Sequence, residues 1–364
     1  MARKSDSISG NGRRDRALRC GVVGVGRMGQ HHARVYANEP GCELVGVVDA
    51  NLDRAQLIAD RHESRAFATE QDLLAAGVDA VSVAVPTTAH FHSARPFLDA
   101  GVGCLIEKPL AGDTQTAQLI KDLAERSGAV LMVGHIERFN PVLRAMRKAT
   151  LAGLEVVPRF IEVHRVSPMT FRSVDTSVVM DMMIHDLDVV LMLMDGQEPD
   201  EIQAAGVAVV TEHEDICNAR LTWRRPQGTC VANITASRLA LKTERVTRIT
   251  GENAYIKIDY GNKTGTVIRR TANEIQMSEV REQLRRGEDL TDLKWSELVN
   301  IEPLTIDDAE PLLMELRGFI DAVRRGEHPP IDAEAGFANV RTAERIVRKV
   351  RETMGSPIPS GTLQ

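Results

Sequence analysis

Between residues 18 and 140 the chain alternates short apolar runs with segments of helical spacing. The runs read LRCGVVGVG, CELVGVVD, AVSVAVP, VGCLIEKP and AVLMVGHI. Near-continuous apolar runs suit strands buried on both faces, and strands separated by helices cross over into parallel neighbours. The intervening segments carry helix punctuation. Thr114 to Ser127 follows Asp113, a good N-cap, and stops at Gly128, which tolerates the left-handed conformation that ends helices. The first half is therefore constrained to an α/β fold built on a parallel sheet covered on both sides.

The first strand runs into G24-V-G26-R-M-G29 and then into the helical segment RMGQHHARVYANE. A GxGxxG alone is weak, but between a strand and a helix each glycine has a task. Gly24 permits the tight turn, Gly26 lets backbone approach a pyrophosphate, and Gly29 lets helix pack on strand. The helix N-terminus, with Arg27 and Met28 in the turn, then offers N–H groups to phosphates. Asp49 closes the second strand about 20 residues further on, where an acid bonds the hydroxyls of an adenosine ribose. An acid there repels a 2′-phosphate, so NAD is expected over NADP; Arg54 is close enough to bear on that choice. His31 and His32 read as surface or packing residues of the first helix. At 105 the chain reads LIEKPLAG, with Glu107, Lys108 and Pro109 at the C-terminal end of the fifth strand. Ligands bind at that edge of an open α/β sheet. A lysine held there can reach a substrate hydroxyl beside a nicotinamide ring, or it can be a solvated lysine beside a turn.

Residues 179 to 190, VMDMMIHDLDVV, set a different problem. On a helix of about 100° per residue, Asp181, His185 and Asp188 share a stripe about 60° wide, Asp186 sits apart, and apolar side chains cover most of the remainder. Such a helix is buried, and buried polar groups need partners. A carboxylate one turn before a histidine can orient the ring and stabilise its protonated form. That serves a proton-transfer device and equally a structural contact. A metal site on Asp181, His185 and Asp188 lacks any companion cluster of ligands, so no metal is expected.

The remaining properties set bounds. A chain of 364 residues, 43% of them apolar, suggests two domains. A net charge of −6 gives no case for nucleic acid or an acidic membrane surface. Five cysteines without a CxxC spacing fit a reducing compartment, and no run approaches the roughly 20 apolar residues that span a bilayer. The polar, basic start lacks the apolar core of a secretory signal, so residues 1–17 read as a disordered tail and the protein as cytoplasmic. Beyond 201 lie strand patterns: EIQAAGVAVV, ICNARLTWRR, TCVANITASR, ERVTRITG and NAYIKIDYG, with RPQG at 225–228 a hairpin turn. Segment 272–305 reads as a helical insertion or lid, and 309–326 and 334–352 as helices. The expected domains are 18–142 for the dinucleotide and 143–364 for substrate and oligomerisation.

Taken together, GVVGVGRMGQHHARVY, VVD at 47–49, VPTTAHFH at 85–92, EKPLAGD at 107–113, DMMIHDLD at 181–188 and DAEAGFANVRTAERIV at 332–347 resemble the Gfo/Idh/MocA family of oxidoreductases, over about 18 to 350. The resemblance implies an N-terminal Rossmann sheet followed by an α/β domain with a large, open, mostly antiparallel sheet. It implies that Lys108 is the catalytic lysine and that Asp181 and His185 form the family's Asp-x-x-x-His pair, facing the active-site cleft. His185 would take a hydroxyl proton as hydride leaves for NAD, with Asp181 orienting it and Lys108 bonding the developing ketone oxygen. Either Lys108 or His185 then serves as final proton acceptor. Pro86, Thr87 and His90, with Glu107, would line the nicotinamide, and Glu137, Arg138 and Asn140 would lie near substrate or ring. VGHIERFNP, HRVSPMTFR and VVMDMMIHDLDVV further resemble the branch that includes UDP-N-acetylglucosamine 3-dehydrogenases. There Arg138, Arg165 and Arg172 would hold a diphosphate. A free polyol or aldose such as an inositol is the enzymatic alternative. A non-catalytic NAD- and sugar-binding regulator is the alternative of another class, and such proteins tend to lose the lysine or histidine that this chain keeps. The family's exposed sheet face implies a homodimer or homotetramer.

Overall fold

The computed structural model describes residues 16–171 and 175–354. They form two compact units: residues up to 136 together with 311–340, and 137–310 together with those from 341 on.

The first unit carries six parallel strands, β1 (Leu18–Val23), β2 (Cys42–Val48), β3 (Arg65–Phe67), β4 (Ala80–Val83), β5 (Gly103–Glu107) and β6 (Leu131–Gly134), in the order β3-β2-β1-β4-β5-β6. The helices between them are α1 (Gly29–Asn38), α2 (Leu52–Arg61), α3 (Glu70–Ala75), α4 (His90–Asp99) and α5 (Thr114–Ser127). Strand order reverses between β1 and β4, and the ligand crevice of a doubly wound sheet opens at such a switch point. The punctuation of α5 is as expected: Asp113 Oδ1 accepts the Thr116 N–H at 2.7 Å, and Gly128 has φ 70°. β4 and β5 are buried along nearly their whole length, as their unbroken apolar runs require.

The second unit starts with α6 (Pro141–Leu151) and β7 (Pro158–Val166), followed by a π-helical turn (Val179–Met183) that leads into α7 (Ile184–Leu193). Then come β8 (Glu201–Val207), β9 (Ile216–Arg225), β10 (Gly228–Ser237), β11 (Glu244–Gly251), β12 (Ala254–Asp259), β13 (Thr264–Arg270), α8 (Glu274–Arg285) and β14 (Val299–Pro303). Eight strands make one sheet in the order β14-β13-β12-β11-β7-β10-β9-β8, antiparallel except for β7 beside β10. The hairpin expected at 225–228 joins β9 to β10. Inward residues such as Ile161, Val163, Leu221, Trp223 and Ile234 form one core with Ile184, Leu187 and Leu191 of α7. The opposite face is polar, with Glu162, His164, Asn218, Arg220 and Asn233 along it.

Two helices near the C-terminus follow, α9 (Pro311–Arg325) and α10 (Ala333–Met354). The units do not divide where the composition suggested. All of α9 and the start of α10 belong to the first unit, which ends its opening stretch at 136 rather than 142. The cause is local. Leu312, Leu316, Phe319 and Ile320 are buried, Arg317 Nε bonds Glu39 Oε1 at 2.9 Å, and Arg324 Nη2 bonds the Gly41 carbonyl at 2.6 Å. The tail expected at 1–17 lies outside the described residues except for its end, where Arg16 pairs with Asp79. Within 272–305 the charged stretch folds as α8, but its end supplies the edge strand β14.

Candidate active site

The glycine turn after β1 is built for a ligand. At Gly24, where φ is 83°, an added Cβ would stand 2.8 Å from Ala84 O and Val85 N. At Gly29 it would stand 1.8 Å from Gly24 O, so the helix start lies directly against the turn. At Gly26 the nearest atom would be Arg54 Nη1 at 3.8 Å, so this backbone faces open space. The start of α1 has no side-chain cap and no acidic residue in its first turn. Its N–H groups and positive end therefore suit an anion. Asp49, after β2, accepts the Val25 N–H on Oδ2 at 2.9 Å and the Asn51 N–H on Oδ1 at 2.8 Å. These residues fit the diphosphate and adenosine ribose of a dinucleotide.

The ends of β4 and β5 close the other side of this crevice. Pro86 leads into a single 3₁₀ turn, Thr87–Ala89, before His90. The His90 ring is buried, with Nε2 3.1 Å from Val85 O and Nδ1 3.3 Å from Leu110 O. Burial lowers its pKa, and the side chain ties the β4 turn to the EKP segment rather than offering itself to a nicotinamide. The Lys108–Pro109 peptide is cis, and Lys108 is half-buried at the end of β5. Glu107 accepts the Lys108 N–H at 3.2 Å and lies 3.1 Å from His32 Nε2. His32 Nδ1 in turn meets Ser82 Oγ at 2.9 Å, which the Tyr36 hydroxyl joins at 2.8 Å. Burial pushes the Glu107 carboxyl up, but His32 and Lys108 outweigh it and hold the group below its ordinary range. His32 is thus more than packing: a buried network from α1 fixes the residue next to the lysine. The doubled histidine one turn into α1 was its only trace in the sequence.

In the second unit, Asp181 lies in the π turn and His185 in the first turn of α7, both half-buried. The Ile184 N–H reaches back to Val179 O, the five-residue span that marks a π turn. The regular stripe drawn from the sequence is therefore interrupted between its first two members. Its third member is buried: Asp188 receives Arg138 Nε at 2.7 Å and Nη2 at 2.6 Å. Asp186, which the wheel set apart, is equally buried and receives Arg165 Nε at 2.5 Å and Nη2 at 3.0 Å. Arg165 Nη2 also reaches Glu137 Oε1 at 3.2 Å. Burial pushes the Asp186 carboxyl up and Arg165 pulls it part of the way back. The two carboxylates outweigh desolvation at Arg165, whose guanidinium is held above its ordinary value.

These contacts revise the expected diphosphate site. Arg165 is 4% exposed and its donors are committed to Asp186 and Glu137. Arg138 is committed to Asp188, and Asn140 caps α6 by accepting the Val142 N–H at 3.1 Å. All three hold the helix that carries His185 or the helix that precedes it, and burial argues against a role for Arg165 at a substrate. Arg172 lies outside the described residues. Among the described residues, no group of three or more His, Cys, Asp or Glu side chains is placed to hold a metal ion.

Comparison with known proteins agrees with this reading of both units. The model for an oxidoreductase family with an NAD-binding Rossmann fold (Gfo/Idh/MocA) matches residues 18–135, and that for the family's C-terminal alpha/beta domain matches 171–359. UDP-N-acetylglucosamine 3-dehydrogenase of Acidithiobacillus ferrooxidans is 40% identical over 258 residues, spanning 71% of this chain and 79% of that protein. Its solved structure matches with a TM-score of 0.79 at 35% identity, over 92% of this chain and 97% of that one. Inositol 2-dehydrogenase of Rhizobium meliloti is 29% identical over 197 residues, 53% of this chain and 59% of that one. The WlbA dehydrogenase of Bordetella pertussis, solved with NADH and UDP-GlcNAcA, shares the fold at a TM-score of 0.75 and 21% identity, over 92% of this chain and 97% of that one. The chain belongs to the Gfo/Idh/MocA family and is an NAD-binding oxidoreductase.

Proposed function

We propose that this member of the family oxidises the 3-hydroxyl of UDP-N-acetylglucosamine or a related nucleotide sugar to a ketone. The observation that carries the reading is that one chain keeps both parts of the device. Lys108 directly follows β5 in the sheet that carries the glycine turn, and Asp181 in the π turn precedes His185 in the first turn of α7. The 40% identity to a UDP-N-acetylglucosamine 3-dehydrogenase supports the choice of substrate. NAD, when bound, accepts the hydride from the alcohol carbon. His185 takes the hydroxyl proton, and Asp181 orients the ring and stabilises its charged form. Lys108 donates a hydrogen bond to the oxygen as it becomes a carbonyl. A positioned base is worth roughly 10²–10⁴-fold. With Arg138 and Arg165 committed elsewhere, the diphosphate contact passes to Arg172.

The enzyme works in the cytoplasm as a homodimer or homotetramer through the polar face of its eight-stranded sheet. Five free cysteines support the compartment, and an uncovered polar face that includes Glu162, Asn218 and Arg220 supports the assembly. Among the described residues no helix is long and apolar enough to cross a membrane.

The test is a screen of nucleotide sugars, inositols and aldoses with NAD, read as NADH absorbance. Turnover of UDP-N-acetylglucosamine or a close relative is the expected result. Turnover confined to free polyols would move the substrate to that class. Tight NADH binding without any turnover would make the chain a regulator.

A further inference from the structure

We propose that Ser177, Glu214 and Arg238 are positioning residues: a buried polar clamp that holds the π turn and so sets Asp181 relative to His185. The inference rests on the proton-transfer role proposed for that pair and goes beyond it in naming what keeps the two groups in place.

A π turn is an uncommon geometry with which ordinary α-helical bonding competes, so it persists where its surroundings hold it. The clamp is mounted on the eight-stranded sheet. Ile216, the first residue of β9, pairs with Ser237, the last of β10. The Arg238 N–H extends that pairing by donating to the Asp215 carbonyl at 2.9 Å. Asp215 is buried. Its Oδ2 accepts the N–H groups of Val209, Val210 and Thr211 at 2.6–3.0 Å, and its Oδ1 accepts the Thr211 hydroxyl at 2.8 Å. Glu214 is thus carried by a loop that its own neighbour closes.

From this base three bonds reach the segment ahead of the π turn. Arg238 Nη2 donates to the Thr176 carbonyl at 2.7 Å. The Ser177 hydroxyl donates to Glu214 Oε1, and the Val178 N–H donates to the Glu214 carbonyl at 3.2 Å. Ser177 then passes the hold forward. Its Oγ accepts the N–H of Val179, where the π turn starts, at 3.1 Å, and its carbonyl accepts the Asp181 N–H at 3.0 Å. One hydroxyl therefore serves as donor to the acid and acceptor for the turn. Ser177, Glu214 and Arg238 are each no more than 7% exposed, so water competes little for these bonds.

Different groups hold α7. Arg138 through Asp188 and Arg165 through Asp186 fix the helix that carries His185. The clamp fixes the turn that carries Asp181. The geometry of the pair is the difference between these two anchorages, and loosening one should disturb the chemistry without unfolding the core. A misplacement of about 1 Å at a reacting centre can cost about 10²-fold in rate.

The measurement is steady-state kinetics of the full chain with NAD and the sugar that the parent oxidises. The variants are Ser177→Ala, Glu214→Ala, Glu214→Gln and the double Ser177→Ala/Glu214→Ala, with thermal melting and NADH titration alongside. Ser177→Ala and Glu214→Ala should each lower kcat by about tenfold or more, and leave the KM for the sugar and the NADH affinity within about threefold of the parent. Glu214→Gln keeps an acceptor for the Ser177 hydroxyl and should recover kcat to within about threefold of the parent. Because both side chains act through one bond, the double variant should stay within about threefold of the worse single one instead of losing the product of the two. Amide hydrogen exchange gives a readout independent of turnover: exchange over 177–183 should quicken by about tenfold in Ser177→Ala while the amides of α7 beyond Leu187 keep the parent's rate. Unchanged kcat in both single variants, or a loss that only follows the fraction of folded protein, would overturn the clamp's role; so would parent-like exchange over 177–183 in Ser177→Ala. A parent that reduces NAD with no sugar would instead remove the proposed function itself.

Discussion

Replacing Arg165 with Met should destabilise the second unit by about 3–5 kcal/mol at neutral pH. The variant keeps most of the volume and removes the charge. Asp186 and Glu137 are then left buried without the guanidinium that reaches them at 2.5–3.2 Å, and stranding a buried carboxylate costs about this much. An exposed ion pair would be worth under about 1 kcal/mol, so the size of the loss separates a buried clamp from a surface contact. For a unit of this length the loss corresponds to a fall in melting temperature of roughly 6–20 °C. The pH dependence has a definite sign. Burial already holds the Asp186 carboxyl above its ordinary value, and without Arg165 it rises further. A folded-state pKa raised above the unfolded one contributes stability that is present below the unfolded value and lost as pH rises through the folded value. The penalty of the variant should therefore be small near pH 4 and grow toward pH 7. Adding Asp186→Leu should recover much of the loss, because an apolar neighbour replaces the stranded charge. Urea unfolding of the parent, the single and the double variant at pH 4.5 and 7.5 supplies the numbers. A loss below about 1 kcal/mol at pH 7.5, or one that does not depend on pH, would show that Arg165 is not the counter-charge its geometry makes it.

Three further outcomes are expected. Lys108→Ala and His185→Ala should each lower turnover by about 10²–10⁴-fold while NADH titration stays near the parent value; a loss below tenfold in both would remove them from proton transfer. Gly29→Ala should cost about 1–3 kcal/mol and weaken NADH, because its Cβ would stand 1.8 Å from Gly24 O; a variant with the parent's stability and affinity would contradict the close packing of turn and helix. His32→Ala should reduce stability at neutral pH and flatten its decline in acid. Glu107 is held below its ordinary pKa partly by His32, and that stabilisation is present above the ordinary carboxyl range and lost as pH falls; an unchanged acid limb in denaturation curves would refute the coupling.

The parallel sheet and its glycine turn were legible because their causes are local. Apolar runs mark buried strands, and the need for space at Gly24 and Gly29 fixes residue type at single positions. β3 escaped notice because it is only three residues long, and β7 because its alternation is broken: the buried position 165 holds an arginine. That same arginine was read as a substrate ligand. Its partner Asp186 lies 21 residues away, and Asp188, the partner of Arg138, lies 50 away, so neither pairing has a sequence signature. A helical wheel of constant step could not anticipate a π turn, and so it drew Asp181 on one regular stripe with His185 and Asp188, which α7 alone carries. The apolar stripe of α9 announced a helix but not the sheet it serves. Only the folded chain shows it lying against α1.

The π turn at 179–183 makes the presentation of Asp181 a matter of counting as well as of chemistry. Deleting one residue there would let ordinary α-helical bonding run through, and the spacing of Asp181 and His185 would change only if the lost residue lay between them, as Met182 and Met183 do. A variant of this chain lacking Met182 or Met183 would keep the acid and the imidazole but set them three positions apart instead of four.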